Sequence, residues 1–167
     1  RAFLLGFTDR IQAHAQELTD LDAAIGDADH GTNMQRGLSA VMAALPAEGD
    51  PAALLKSAAM TMISKVGGAS GPLYGTAFLR AATAKAGREE WTITDLRAAL
   101  EAAYGGLLER GKAQPGDKTM LDAWRPALDA LAAGTPADAA QAARAGRRSA
   151  GEGVLPGTGA DQDQARD

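Results

Sequence analysis

Three carboxylates crowd into eight residues: Asp22, Asp27 and Asp29, in the run Leu21-Asp22-Ala23-Ala24-Ile25-Gly26-Asp27-Ala28-Asp29-His30-Gly31. Like charges this close repel unless a positive charge sits among them. For an all-oxygen set the usual partner is a hard divalent cation, and Mg²⁺ typically takes a few carboxylates together with substrate phosphates. A solvated acidic loop that caps helices is the plainer reading, and spacing alone leaves both open. The pattern is not an EF-hand, because the D-x-D-x-D-G spacing and closing Glu are missing. His30 follows the acids directly. It can serve as a structural hydrogen-bond partner or donate an N–H to a phosphate oxygen. Gly31-Thr32-Asn33 then leads into a helix, whose first backbone N–H groups bind phosphate without side-chain help.

A second segment, Gly67-Gly68-Ala69-Ser70-Gly71-Pro72-Leu73-Tyr74-Gly75, is rich in small residues. Small residues let backbone N–H groups approach an anion closely. No Lys-Ser/Thr pair ends it and no strand precedes it, so it is neither a Walker A loop nor a Rossmann fingerprint. Alone it reads as a helix–helix turn; beside the acidic loop it suggests a metal–nucleotide site, with Ser70 offering a hydroxyl. A third polar segment, Gly111-Lys112-Ala113-Gln114-Pro115-Gly116-Asp117, precedes Met120, whose soft side chain suits either a core or the face of a flat base.

The elements that must position these loops are helical. Phe3, Phe7, Ile11, Leu18 and Leu21 predict a first helix. Met34, Leu38, Val41 and Leu45 predict a second, capped by Thr32 or Asn33. A third runs from Ala53 to Val66 and stops at Gly67-Gly68. A fourth restarts near Tyr74 to Thr76. Thr94 with Asp95 opens a fifth, and a sixth carries Met120, Leu121, Trp124, Leu128 and Leu131, with Asp117 as its cap and Pro126 inside it. Ala137 to Ala145 is helical by propensity only, and 146–167 reads as a poorly ordered tail. The expected organisation is a helical domain over 1–145 followed by that tail. No stretch alternates long enough to be a strand, so the fold class is all-α, an antiparallel bundle. Antiparallel packing places the loops after the first, third and fifth helices at one end, where the three polar segments can meet.

Bulk properties narrow the partners. The chain has 167 residues, a formal net charge of −4 and no cysteine. One domain with a real core is expected. An acidic balance argues against nucleic acid as the main partner. Absence of thiols removes disulfides and thiolate metal sites and fits a cytoplasmic setting. No apolar run is long enough to span a membrane.

LDAAIGDADHGTNMQRG (21–37), VGGASGPLYGT (66–76) and RGKAQPGDKTMLDAW (110–124) together resemble the signature segments of the L, nucleotide-binding, subunit of dihydroxyacetone kinase, over roughly residues 1 to 133. The resemblance implies an eight-helix antiparallel barrel with ADP or ATP capping one end. It implies that Asp22, Asp27 and Asp29 hold two Mg²⁺ ions, and that His30, Gly31, Thr32, Asn33, Ala69 and Ser70 contact the nucleotide. Gly111 and Met120 would line the adenine pocket, with Arg147 as a basic residue nearby. No side chain of this chain would act as nucleophile. Implied partners are a dihydroxyacetone-binding K subunit, a phosphotransferase-system M subunit that rephosphorylates bound ADP and, for some members, a transcription regulator. Close alternatives are the L module of an ATP-dependent dihydroxyacetone kinase and a copy that keeps only a regulatory binding role; an L-like domain of a fatty-acid kinase ranks behind them. The family's C-terminal pattern departs from this chain. Family members have a longer seventh helix and a His-Gln-Asp-Pro-Gly-Ala motif before a last helix. Here Ala137 to Ala145 and Asp161-Gln162-Asp163-Gln164-Ala165 stand in their places, so incomplete C-terminal helices are expected.

Overall fold

Alanine and glycine at helical spacing set how closely the helices of this chain approach one another. The computed structural model describes residues 1–24 and 26–151, the side chains of 147 and 149–151 excepted. Those residues form eight helices and no strand, so the all-α class holds. They divide into two compact units, Arg1–Gln114 and the part that begins at Pro115. None of the helices is long and apolar enough to cross a membrane.

The first unit holds α1 (Ala2–Ala13), α2 (Ala15–Ala23), α3 (His30–Ala44), α4 (Pro51–Lys65), α5 (Ser70–Ala84) and α6 (Ile93–Gly111). α3 packs on α1, α2 and α4, while α5 lies between α4 and α6. The core joins Leu4 of α1 to Met34, Leu38 and Val41 of α3, Ala58, Ala59 and Met62 of α4, and Phe78 of α5. Buried Ala77, Ala81 and Ala82 on α5 and Ala99 and Ala103 on α6 replace larger side chains there. Alanine faces allow the short interaxial distances that such a core needs. Gly71 goes further: a methyl group there would overlap the carbonyl oxygen of Val66. Only glycine lets the start of α5 lie that close to the end of α4.

Several boundaries differ from those the sequence predicts. The first helix is two helices, broken at His14, whose backbone leaves helical values at φ −114° and ψ 13°. Neither Gly nor Pro marks the break. His14 Nδ1 pairs with Glu17 Oε2 at 2.8 Å across the first turn of α2. Phe3 and Leu21, expected on the inward face, are exposed. α3 starts at His30 rather than after Thr32, with Asp29 in the cap position. α5 starts at Ser70, within the glycine-rich segment and before Tyr74.

α6 opens with a capping box set by Thr92 rather than Thr94. Asp95 Oδ2 accepts from the Thr92 hydroxyl at 2.7 Å and from its N–H at 3.1 Å. Lys85 at the end of α5 adds an ion pair to Asp95 at 3.1 Å, and Arg88 a longer one. The Thr92 hydrogen bonds, backed by Lys85, hold the buried Asp95 carboxyl down from 3.8 to about 2. A lowered folded-state value means that this stabilisation is complete above pH ~4 and is lost as pH falls toward ~2. Asp95→Asn should therefore lower the melting temperature at pH 7 and flatten acid unfolding between pH 4 and 2; chemical denaturation across that range checks it.

The second unit pairs α7 (Leu121–Ala133) with α8 (Pro136–Gly151). Asp117 does not cap α7, which starts at Leu121. Instead Asp122 reaches back to accept the N–H groups of Gly116 at 2.6 Å and Thr119 at 2.9 Å. Pro126 stays inside α7. Trp124, expected in the core, is half-buried. α8 continues past Ala145 to Gly151, so helix covers part of the stretch expected to be a tail. The missed signal is Thr135-Pro136-Ala137-Asp138: the Thr135 N–H and hydroxyl both donate to Asp138 Oδ2, at 2.7 and 2.8 Å. Such a box, with Pro in the first turn, starts a helix that alanine propensity then sustains. Asp161 to Ala165 lie outside the described residues.

Candidate metal and nucleotide site

The acidic loop connects the end of α2 to the start of α3, and its backbone is shaped around Asp22. Oδ2 of Asp22 accepts the N–H of Asp29 at 3.0 Å and of His30 at 3.2 Å. These are N–H groups that a helix start leaves without intrahelical partners. One carboxylate oxygen thus caps α3 from seven residues upstream. The loop N–H of Gly26 closes back on the Asp22 carbonyl at 2.6 Å. Ala28 sits between the other two acids with φ 61°, the left-handed region that costs a non-glycine residue ~1 kcal/mol. Its conformation turns the chain so that Asp27 and Asp29 face the same point as Asp22. One oxygen from each of the three carboxylates lies within 4.8 Å of the others. Ala28→Gly should remove that strain and raise the melting temperature by ~1–3 °C; a fall on thermal unfolding would show that the loop is held some other way.

Three acids gathered so closely are an oxygen-only donor set of the kind hard cations take. Asp22 is half-buried and Asp27 and Asp29 are exposed, which leaves coordination positions open toward solvent or a ligand. The residues present therefore fit Mg²⁺ shared with phosphate oxygens.

The glycine-rich turn meets this loop through side chains. Ser70, the first residue of α5, lies with its Oγ 3.0 Å from Nδ1 of His30, the first residue of α3. Two helix N-termini are thus tied side by side, and both present backbone N–H groups and positive dipole ends. Ala69 precedes Ser70 in the cap position. Gly31 is buried because α3 presses on α2: a methyl there would overlap the Ala15 carbonyl oxygen and lie 2.5 Å from Thr19 Oγ1. Thr32 is exposed, whereas Asn33 is buried and reaches toward Gly67. Gly111, at the end of α6, lies against Leu73 near the start of α5.

The structure thus brings Asp22, Asp27, Asp29, His30, Gly31, Asn33, Ala69, Ser70 and Gly111 to neighbouring helix ends of the first unit. Met120 and Arg147 belong to the second unit. Met120 is half-buried at the start of α7. Arg147 falls on α8, and its side chain lies outside the described residues. Within that unit Gly116, Lys118, Asp122, Pro126, Ala142, Ala145 and Gly146 line a recess of about 530 Å³. Its wall is held by Asp122, whose carboxyl is lowered by the Gly116 and Thr119 N–H bonds. Sequence reading missed Asp122 as the organiser of this loop; the signal available was an acid three residues after Thr119.

The first unit thus carries an acidic, metal-type loop beside a glycine-rich helix start. The DAK2 domain model matches residues 24–155, and the chain belongs to that family. It is 48% identical over 125 residues to the PEP-dependent dihydroxyacetone kinase, ADP-binding subunit DhaL, of Escherichia coli K12, covering 74% of this chain and 60% of that subunit. The corresponding subunit of kinase 1 from Listeria innocua is 50% identical over 132 residues, covering 77% of this chain and 66% of that one. Human triokinase/FMN cyclase is 40% identical over 114 residues, 64% of this chain but 19% of that enzyme. The crystal structure of the dihydroxyacetone kinase of C. freundii in its native form superposes with a TM-score of 0.71 and 28% identity, over 87% of this chain and 28% of that one. The chain therefore spans less than two thirds of the bacterial subunits it matches.

Proposed function

We propose that this chain is the ADP-binding L module of a phosphotransferase-system-dependent dihydroxyacetone kinase. The observation that carries the reading is the meeting of three carboxylates within 4.8 Å of one another beside a paired His30 and Ser70. The names of the bacterial relatives support the same nucleotide and the same reaction. In this reading Asp22, Asp27 and Asp29 hold two Mg²⁺ ions, which when bound offset phosphate and carboxylate charge at once. The N-termini of α3 and α5 receive the phosphates through His30, Gly31, Thr32, Asn33, Ala69 and Ser70. Gly111, at the end of α6, serves the base.

Asp22 spends one oxygen on the backbone, so only Oδ1 remains for a cation. Ser70 fixes the ring of His30, leaving Nε2 as the nitrogen that can meet a phosphate oxygen. The chain supplies placement and charge neutralisation rather than a nucleophile, which suits phosphoryl transfer. Bound ADP would accept a phosphoryl group from an M-type donor protein and pass it to dihydroxyacetone on a K-type subunit. Calorimetric titration with Mg-ADP tests the binding step. Ser70→Trp should abolish it by filling the space in front of His30. Absence of heat from the wild-type protein at millimolar nucleotide would end the proposal.

The match to part of human triokinase favours one second reading: the same module in an ATP-dependent kinase that exchanges free nucleotide. ADP that survives purification and is rephosphorylated by the donor protein supports the relay. Rapid exchange with free ATP supports the alternative.

A further inference from the structure

Arg36 lies on α3 one turn beyond Asn33, outside every role assigned above. Its Nη2 donates to Asn33 Oδ1 at 2.6 Å. Asn33 is buried, at 7% exposure, while the Arg36 side chain belongs to an exposed residue. A guanidinium has donors and no acceptor, so it can be met only by the carbonyl end of an amide. That choice leaves the NH₂ end of Asn33 free of the guanidinium. The amide lies broadside to the glycine-rich turn: a Cβ built on Gly67 would lie 3.4 Å from Asn33 Nδ2 and 3.7 Å from both Cγ and Oδ1. Among the described residues Nδ2 has no protein acceptor. The amide is symmetric in shape but not in chemistry: reversed, it would present an oxygen to an anion.

We infer that Arg36 is a positioning residue, which sets the direction of the Asn33 amide so that its NH₂ faces the phosphate side of the glycine-rich turn. The inference rests on the nucleotide reading for its functional consequence, though not for the geometry itself. Arg36 need not touch the nucleotide; it acts through Asn33, and its charge also keeps the buried amide from rotating. Lysine, likewise a donor without an acceptor, should preserve the direction, whereas methionine fills similar space with no donor.

The test has two arms. In nucleotide-free crystals, neutron diffraction after deuterium exchange should place the Asn33 ND₂ group away from the Arg36 guanidinium. That orientation should persist in Arg36→Lys and become mixed or reversed in Arg36→Met. Its persistence in Arg36→Met overturns the inference, whether or not nucleotide binds. In the second arm, Mg-ADP affinity by calorimetry should fall about tenfold in Arg36→Met and recover to within about twofold of wild type in Arg36→Lys. On an Asn33→Ala background the Arg36→Met change should have no further effect. An equal loss on both backgrounds shows a guanidinium acting directly on the anion and rejects the positioning role. Loss of thermal stability in Arg36→Met with unchanged affinity rejects it too. Wild-type protein that shows this amide orientation but binds no Mg-ADP defeats the nucleotide reading and leaves the amide geometry confirmed.

Discussion

Asp27→Ala abolishes Mg²⁺-dependent ADP binding, a loss of about a hundredfold or more, and leaves folding intact. The expectation follows from the division of labour among the three acids. Asp27 is exposed, and its carboxylate caps no helix among the described residues. Removing it takes one ligand from the cation and relieves repulsion in the metal-free loop. Stability should therefore change by less than ~0.5 kcal/mol, as for other surface sites. Asp22→Ala behaves differently. It also strips the N–H groups of Asp29 and His30 of their acceptor, costing ~1–2 kcal/mol in addition to the lost binding. Calorimetry with Mg-ADP and thermal unfolding on both variants separate ligand from scaffold. Retained affinity in Asp27→Ala would mean that the cation is held elsewhere.

Gly31→Ala lowers the melting temperature by ~6–12 °C, corresponding to ~3 kcal/mol. The added methyl would meet a main-chain oxygen, that of Ala15, which cannot rotate away as a side chain could. α3 must then lift from α2, and the loop between them carries all three acids. Metal affinity should fall with stability, although no ligand has been touched. Gly6→Ala is the matched control. Nothing lies within 4 Å of a Cβ at that position, so exchanging glycine for alanine inside α1 should stabilise by ~0.5–1 kcal/mol. Differential scanning calorimetry on the two variants reads both signs in one comparison.

Much of this architecture was legible in the sequence because helical periodicity reports a buried face. Met34, Leu38 and Val41 recur at helical spacing and all three are core residues. The acidic triad and Ser70 stood out as candidates by residue type, and the fold gathers the triad and sets Ser70 beside His30. Helix starts were harder. Thr92 and Asp95, and Thr135 and Asp138, are reciprocal boxes that resemble ordinary polar loop until their geometry is known. The break at His14 left no local signal, since neither Gly nor Pro stands there. Arg36 reads as a plain surface charge; only the amide of Asn33 gives it a role.

The most direct test replaces Mg²⁺ by Mn²⁺ and locates it by anomalous diffraction in crystals grown with ADP. Manganese peaks bounded by carboxylate oxygens of Asp22, Asp27 and Asp29, at ~2.1–2.2 Å and joined to the nucleotide phosphates, are the predicted result. Nucleotide bound with its metal distant from those three side chains would contradict it.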